Sequence, residues 1–270
     1  MKNNFKFSVL LPVYDLEKPE YFNSCLNSIL NQTVIPNEVV IAKDGEINNK
    51  LAKVIYKYRD NLNIKEVLYS GKDNLSGALK YGLSFCTYNI IARADSDDIY
   101  DKKRFENQIK YFKQNPDLSV LGTYVIEFNE SINDLNIIRK GFKINGNFSL
   151  NNPVHHSSVM FLKNDIVSAG NYKKLEGFED WYLWLRLRKK GYKIENLQEN
   201  LCYVRVGNSF YKRRSGLNYI KNEFNAHNVF YKEKLITFIN FLSNMIIRTP
   251  LRLLPEKVIK LFYYCTRKKQ

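Results

Sequence analysis

"TYNIIARADSDDIYDKKRFENQIKYF", residues 87–112, passes from an apolar segment through an acidic turn into a segment of helical periodicity. Three aspartates, Asp95, Asp97 and Asp98, fall within four positions, and Phe105, Ile109 and Phe112 then recur at helical spacing. A strand that ends in carboxylates and leads directly into a helix is the building unit of an α/β fold. Upstream the alternation repeats. "FSVLLPVY" (Phe7–Tyr14) and "EVVIAKDG" (38–45) read as strands, with Phe22, Leu26, Ile29 and Leu30 on one helical face between them. Leu51, Ile55 and Tyr58 mark a second helix, "IKEVLYS" a third strand and "GALKYGLSF" a third helix. Short alternating units of this size predict a mostly parallel central sheet with helices on both faces.

In sheets of that type ligands bind beyond the carboxyl ends of the strands. Tyr14, Asp44 and the aspartates from Asp95 to Asp98 all fall at such ends, so three strands deliver polar groups to one rim. The second half is less regular. Strand-like stretches at "SVLGTYVIEF" and "DLNIIRKGF" precede "HHSSVMFLK" (155–163) and "GFEDWYLWLRLRKKG" (177–191), the last apolar on nearly all sides and therefore expected to be a buried helix. Beyond about Tyr211 the pattern is helical. We expect residues 1–210 to form the main domain, in two halves at 1–98 and 99–210, and 211–270 to form a helical extension.

At 270 residues with 44% hydrophobic content the chain can bury a core. Its formal net charge of +15 favours anionic partners. From 231 to 270 there are nine basic and two acidic residues, a local balance of +7. The apolar run "LITFINFLSNMII" (235–247) in that region is shorter than the roughly 20 residues that span a bilayer. With Arg248, Arg252, Lys257 and Lys260 beside it, it suits a basic amphipathic helix lying on an anionic membrane surface, or a helix pair that closes the domain. Cys25, Cys86, Cys202 and Cys265 are scattered, and the histidines do not complete a metal-ligand spacing with them, so reduced cytosolic thiols are expected. No signal peptide is expected, because the first six residues lead straight into a strand-like run.

Carboxylates on a tight turn serve either as helix caps or as ligands. Asp98 or Asp101 could cap the helix that starts near Lys102, but one cap does not require Asp95 and Asp97 as well. Carboxylates one residue apart can bind a divalent cation with one and orient a neighbouring group with the other, and Mg²⁺ and Mn²⁺ bind oxygen ligands that commonly include substrate phosphates.

The ordered motifs "VLLPVY", "VVIAKDG", "SGALKYGL", "RADSDD", "HSSVMF" and "GFEDWYLWLRL" resemble the family 2 glycosyltransferases of the nucleotide-sugar-binding, Rossmann-like A-type fold, especially bacterial enzymes of capsule and O-antigen synthesis. The resemblance spans roughly residues 7–206 and implies a nucleotide-binding half at 1–98 and an acceptor-binding half at 99–210. It implies an inverting, metal-dependent hexosyltransferase that moves a sugar from UDP-galactose or UDP-glucose to a polyprenyl-diphosphate-linked saccharide, peripherally attached at the cytoplasmic face of the inner membrane. Residue by residue, it implies that Pro12 and Tyr14 flank the uracil, that Asp44 binds the base and that Asp95 and Ser96 contact the ribose or sugar. Asp97 would bind Mn²⁺ or Mg²⁺, Asp180 would be the catalytic base, and Glu179, Trp181 and His156 would stand on the acceptor side. Lys80, where many relatives have Asn, could reach the diphosphate. Only one acidic residue, Asp44, precedes Gly45 where the family often has two, with Lys43 in the other place. His155 and His156 would face opposite sides of a strand, so that one alone could point into the site.

Other readings fit less well. A sugar nucleotidyltransferase would need a glycine-rich basic loop near the N-terminus, and a dinucleotide dehydrogenase a G-x-G-x-x-G after the first strand; neither is present. A nucleic-acid-binding module would interleave aromatic and basic residues and avoid an acidic rim, so no nucleic-acid partner is expected.

Overall fold

The computed structural model describes residues 5–72, 74–130, 137–139, 148–207, 214–255, 258–259 and 268–269. Strands β1 (Phe7–Tyr14), β2 (Glu38–Asp44), β3 (Ile64–Tyr69) and β4 (Ile90–Arg93) alternate with helices α1 (Pro19–Leu30), α2 (Asn49–Tyr58) and α3 (Asn74–Phe85). They pair in parallel in the order β3-β2-β1-β4. Then follow β5 (Ile99–Tyr100), α4 (Arg104–Gln114), β6 (Leu118–Phe128), β7 (Ile137–Arg139), β8 (Met160–Leu162), α5 (Lys163–Ser168), α6 (Glu179–Lys189) and β9 (Lys193–Arg205). β8 runs antiparallel between β4 and β6, and β9 runs parallel to β6 while its end pairs antiparallel with β5. The α/β expectation holds, with parallel pairing concentrated in the first half.

Strand alternation divides the core in two. Phe7, Val9, Leu11 and Val13 of β1 pack with α1, α2 and α4, whereas Leu10 of the same strand packs with α3 and α6. Both faces of the sheet are covered, and this is why β1 is buried without interruption until Tyr14 and apolar but for Ser8.

The composition of α6 follows from its position. Leu183, Trp184 and Leu187 face the sheet, and Trp181, Tyr182 and Leu185 face α7 (Leu217–Lys232) through Ala226 and Phe230. A helix held between two layers has no solvent face to keep polar. The helix that follows, α8 (Phe238–Leu253), packs on α7. Arg248 and Arg252 of α8, expected beside a membrane surface, turn inward to Glu223 of α7 at 3.3 and 3.1 Å. Lys260 and Cys265 lie outside the described residues, as does Lys257. The outward side of α8 is instead apolar: Ile239, Leu242 and Ile246 are 74, 46 and 65% exposed. Cys25, Cys86 and Cys202 are buried free thiols, as expected. No described helix is long and apolar enough to cross a membrane.

Candidate active site

The register of the parallel strands sets Tyr14 beside Asp44 and Asp44 beside Tyr69 at their carboxyl ends. Gly45, at φ +83°, turns the chain there and donates its N–H to the Tyr69 carbonyl at 2.9 Å. Tyr14 is exposed, and burial pushes the Asp44 carboxyl above its ordinary value. Lys43, the departure from the family pattern, turns away and pairs with Glu66 at 3.3 Å. Pro12 is buried inside β1 opposite Ala42. Lys80 stands exposed on α3, and no hydrogen bond or ion pair among the described residues joins it to the carboxylates.

The acidic turn after β4 is clamped from several sides. The Asp95 N–H donates to the Tyr100 hydroxyl oxygen at 2.6 Å, and the Cys25 thiol donates to the Asp95 carbonyl at 3.1 Å. Ser96 is buried and donates its hydroxyl to Glu17 Oε2 at 2.5 Å. From the far end of β9, the Arg205 N–H donates to Asp98 Oδ1 at 3.0 Å and its Nε to the Asp97 carbonyl at 3.1 Å. Its guanidinium lies 3.7 Å from the ring centre of Tyr21. Neither Asp98 nor Asp101 caps α4. Asp98 is buried in this network, and Asp101 accepts from the Lys103 N–H at 2.9 Å, one position before the helix. Burial, with Asp95 and Glu17 adding repulsion, pushes the Asp97 carboxyl up to about 7. Burial and the neighbouring Asp97 and Asp95 raise Asp98 as well.

A second pair of carboxylates opens α6. Asp180 Oδ2 accepts from Asn152 Nδ2 at 2.6 Å and Asp180 Oδ1 from the Trp181 N–H at 2.6 Å, which fixes the carboxylate plane. Burial raises Asp180 against these hydrogen bonds, and burial together with Asp180 pushes Glu179 up to about 7. Between the two acidic groups sits Arg93, fully buried at the end of β4 and ion-paired with Asp95. Burial alone would lower its pKa, but the Asp95 carboxylate outweighs that and holds the guanidinium charged. Its positive charge also acts on Asp97, Glu179 and Asp180. Among the described residues no three His, Cys, Asp or Glu side chains converge as a metal-holding group.

The histidines are not on a strand. His156 begins a short 3₁₀ turn (His156–Ser158), because the chain must bend before β8 can enter the sheet, so strand alternation does not decide between His155 and His156. His156 Nε2 lies 3.0 Å from the Tyr172 hydroxyl, its ring packs edge-on against Trp184, and burial keeps it neutral by lowering its pKa. Trp181 is buried, donates Nε1–H to the Phe148 carbonyl at 2.9 Å and packs against Phe178, His227 and Phe230. Sequence reasoning passed over Arg93, Glu17 and Arg205. Only Arg93 carried a signal, being a charged residue closing an otherwise apolar strand.

With this geometry in place, similarity to known proteins is informative. The family model described as Glycosyl transferase family 2 matches residues 8–170. The chain belongs to that family. This glycosyltransferase is 35% identical to the amylovoran biosynthesis glycosyltransferase AmsE of Erwinia amylovora, over 97% of its own length and 99% of the relative's. It is also 35% identical to the UDP-Gal:alpha-D-GlcNAc-diphosphoundecaprenol beta-1,3-galactosyltransferase of Escherichia coli, over 95 and 98% of the two chains. Among solved structures, the mannosyltransferase PcManGT of Pyrobaculum calidifontis, in complex with GDP-Man and Mn²⁺, superposes with a TM-score of 0.64. That match spans 97% of the glycosyltransferase and 80% of PcManGT at 12% identity, which shows a shared fold.

The raised carboxyls make stability depend on pH. Unfolded Asp and Glu release their proton near pH 4, whereas folded Asp97 and Glu179 keep theirs to about 7. The folded state therefore binds more protons between those values, and their contribution to stability is lost as pH rises through that window. In chelator-containing buffer, the melting temperature of the glycosyltransferase should fall between about pH 4 and 7, and less steeply in Asp97→Asn. Equal slopes for the two proteins would show that Asp97 is ionised in the fold.

Proposed function

We propose that the chain is an inverting hexosyltransferase of bacterial surface-polysaccharide synthesis, moving galactose or glucose from a UDP-sugar to a saccharide carried on a polyprenyl diphosphate. The observation that carries this reading is the juxtaposition of two raised carboxylate pairs, at the strand rim and at the start of α6, around the buried charge of Arg93. The 35% identity, over 95% of the chain, to an enzyme named for UDP-Gal and a diphosphoundecaprenol-linked sugar supports the choice of donor and acceptor.

At the donor side, exposed Tyr14 offers a ring to flank the uracil and Asp44 offers a carboxylate to its N–H. Asp95 and Ser96, held by the turn, reach for the ribose or sugar, and Lys80 has the length to approach the diphosphate from α3. The residues also fit a divalent cation. Asp97 presents a carboxylate whose proton is retained to about 7 by burial, with the like charges of Asp95 and Glu17 adding to it, and a cation beside it would oppose both effects. Few protein ligands suffice for Mg²⁺ or Mn²⁺, which take the rest from water and substrate phosphates. Bound there, the ion would offset negative charge gathering on the leaving diphosphate.

On the acceptor side, Asp180 receives the proton of the attacking hydroxyl. The hydroxyl oxygen forms its bond to the anomeric carbon as the bond from that carbon to the phosphate oxygen breaks, UDP departs and configuration inverts. Burial suits Asp180 to this work, since a raised pKa strengthens it as a base. Glu179 and Trp181 shape the acceptor side around it, and His156 supports them from beneath through Tyr172. The exposed apolar row of α8, in a C-terminal region of charge +7, provides peripheral attachment to an anionic membrane at its cytoplasmic face.

Calorimetric titration should show UDP binding that strengthens at least tenfold with Mn²⁺ and loses that gain in Asp97→Ala; an unchanged Mn²⁺ effect in the variant would remove Asp97 from the diphosphate site. Asp180→Asn should lower kcat by about 10² to 10⁴-fold, the usual worth of a positioned base, while leaving UDP affinity within twofold. A variant retaining near-normal kcat would move the base elsewhere. Replacing Ile239, Leu242 and Ile246 together by Ser should abolish flotation with phosphatidylglycerol vesicles, whereas continued flotation would locate attachment off α8.

A further inference from the structure

A cavity of about 280 Å³ opens between α8 and the segment that leads into Asn152. Leu150, Ile247, Leu251 and Leu254 give it apolar walls, and Arg248 and Arg252 give it a cationic end. Both guanidiniums are held by the Glu223 carboxylate, which is 2% exposed, and Arg248 keeps 18% of its own side chain open. Arg248 also donates through Nη2 to Asn151 Oδ1 at 3.2 Å. The next residue, Asn152, holds Asp180, and the Arg248 guanidinium lies 5.0 Å from the ring centre of Trp181, immediately after Asp180. The cationic end is thus one residue away, along two separate chain segments, from the carboxylate proposed as base. The cavity opens onto apolar surface, since Ile247, which lines it, is 59% exposed and Leu254 36%.

We infer that this cavity is the binding site for the phosphate-bearing end of an isoprenoid-linked acceptor, with the diphosphate at Arg248 and the first isoprene units against Leu150, Ile247, Leu251 and Leu254. The inference rests on the reading of the acceptor as lipid-linked and adds where and how that lipid is held. A free sugar would use neither the guanidinium nor the apolar walls, and a purely apolar tail would be ill served by a charged end. An amphiphile satisfies both, and its head is directed towards Asp180, where the sugar it carries must react. Arg248 already donates to Asn244, Glu223, Leu150 and Asn151, so what draws the phosphate is the net positive charge left where two guanidiniums share one carboxylate.

The test uses the full chain with saturating UDP and excess Mg²⁺, so that the donor site is filled, and farnesyl diphosphate as probe. Calorimetry should find farnesyl diphosphate binding at least tenfold tighter than either farnesol or inorganic phosphate. Arg248→Met leaves Glu223 paired with Arg252, and Ile247→Asp alters an exposed position, so both variants should fold. Each should weaken farnesyl diphosphate at least tenfold while UDP affinity stays within twofold. Unchanged farnesyl diphosphate affinity in both variants would overturn the assignment, as would its displacement by UDP, which would put the probe in the donor site. Equal displacement by a short-chain phosphatidylglycerol would also overturn it, by showing a general lipid-headgroup site. Failure of UDP to bind would count against the donor reading alone, since the farnesyl diphosphate titration is read without turnover and can be repeated without nucleotide.

Discussion

A guanidinium taken out of water must be answered by a negative charge, and the Arg93–Asp95 pair at the end of β4 is where this fold meets that demand. Arg93 is fully buried beneath the rim, so its charge is felt on both sides. It steadies the aspartate turn, and its positive charge opposes the raised pKa of Asp97 on one side and of Glu179 and Asp180 on the other. Arg104 completes the support from below, donating to the Arg93 carbonyl at 2.7 Å and stacking at 4.4 Å over Tyr100, whose hydroxyl grips the turn. The rim can then hold several carboxylates close together, at the expense of their ordinary acidity, because one buried cation and a tight hydrogen-bonded turn prevent them from moving apart.

Raised pKa values would serve the proposed reaction in opposite ways at its two carboxylate pairs. At Asp97, reluctance to ionise is a form of readiness for a cation, since a positive ion would convert the unfavourable crowding into attraction. At Asp180, the same physics gives a carboxylate a stronger pull on a hydroxyl proton, while Asn152 and the Trp181 N–H keep it oriented. Burial is the leading cause in both cases, and the difference lies in what each carboxylate faces.

Much of this was legible in the sequence because it is local. Strands β1 to β4 and helices α1, α2 and α4 are written in apolar periodicity, and the aspartates of the rim announce themselves by density. The burial of α6 was readable from its lack of a polar face. What could not be read depends on distant pairing. Much of β9 is polar, "KIENLQEN", with no apolar run to mark it, and becomes a strand because β6 offers it a parallel edge, with two of its register irregularities near Tyr124. Arg205 and Glu17 join the rim only once that pairing and the β1–α1 turn are in place. His155 and His156 misled for the opposite reason: an apolar run beside them suggested a strand where the chain first makes a turn. The inward direction of Arg248 and Arg252 was equally invisible, since it is set by Glu223 on a different helix.

The link from Arg205 to the Asp97–Asp98 turn has a consequence for the order in which the protein comes into being. The two partners are separated by 107 positions for the Asp98 contact, and β5 closes on β9 over a similar distance. Contacts so far apart in the chain form late, because the loop between them must be closed before they repay its entropy. On the ribosome, the parallel strands β1 to β4 can assemble well before Arg205 has been made. The acidic rim of a growing chain therefore exists first as an unbraced loop and acquires its final shape only when about three quarters of the polypeptide has emerged. The shape of the rim is in this sense a property of the finished sheet, and a chain stalled before β9 would carry the motif without its braced form.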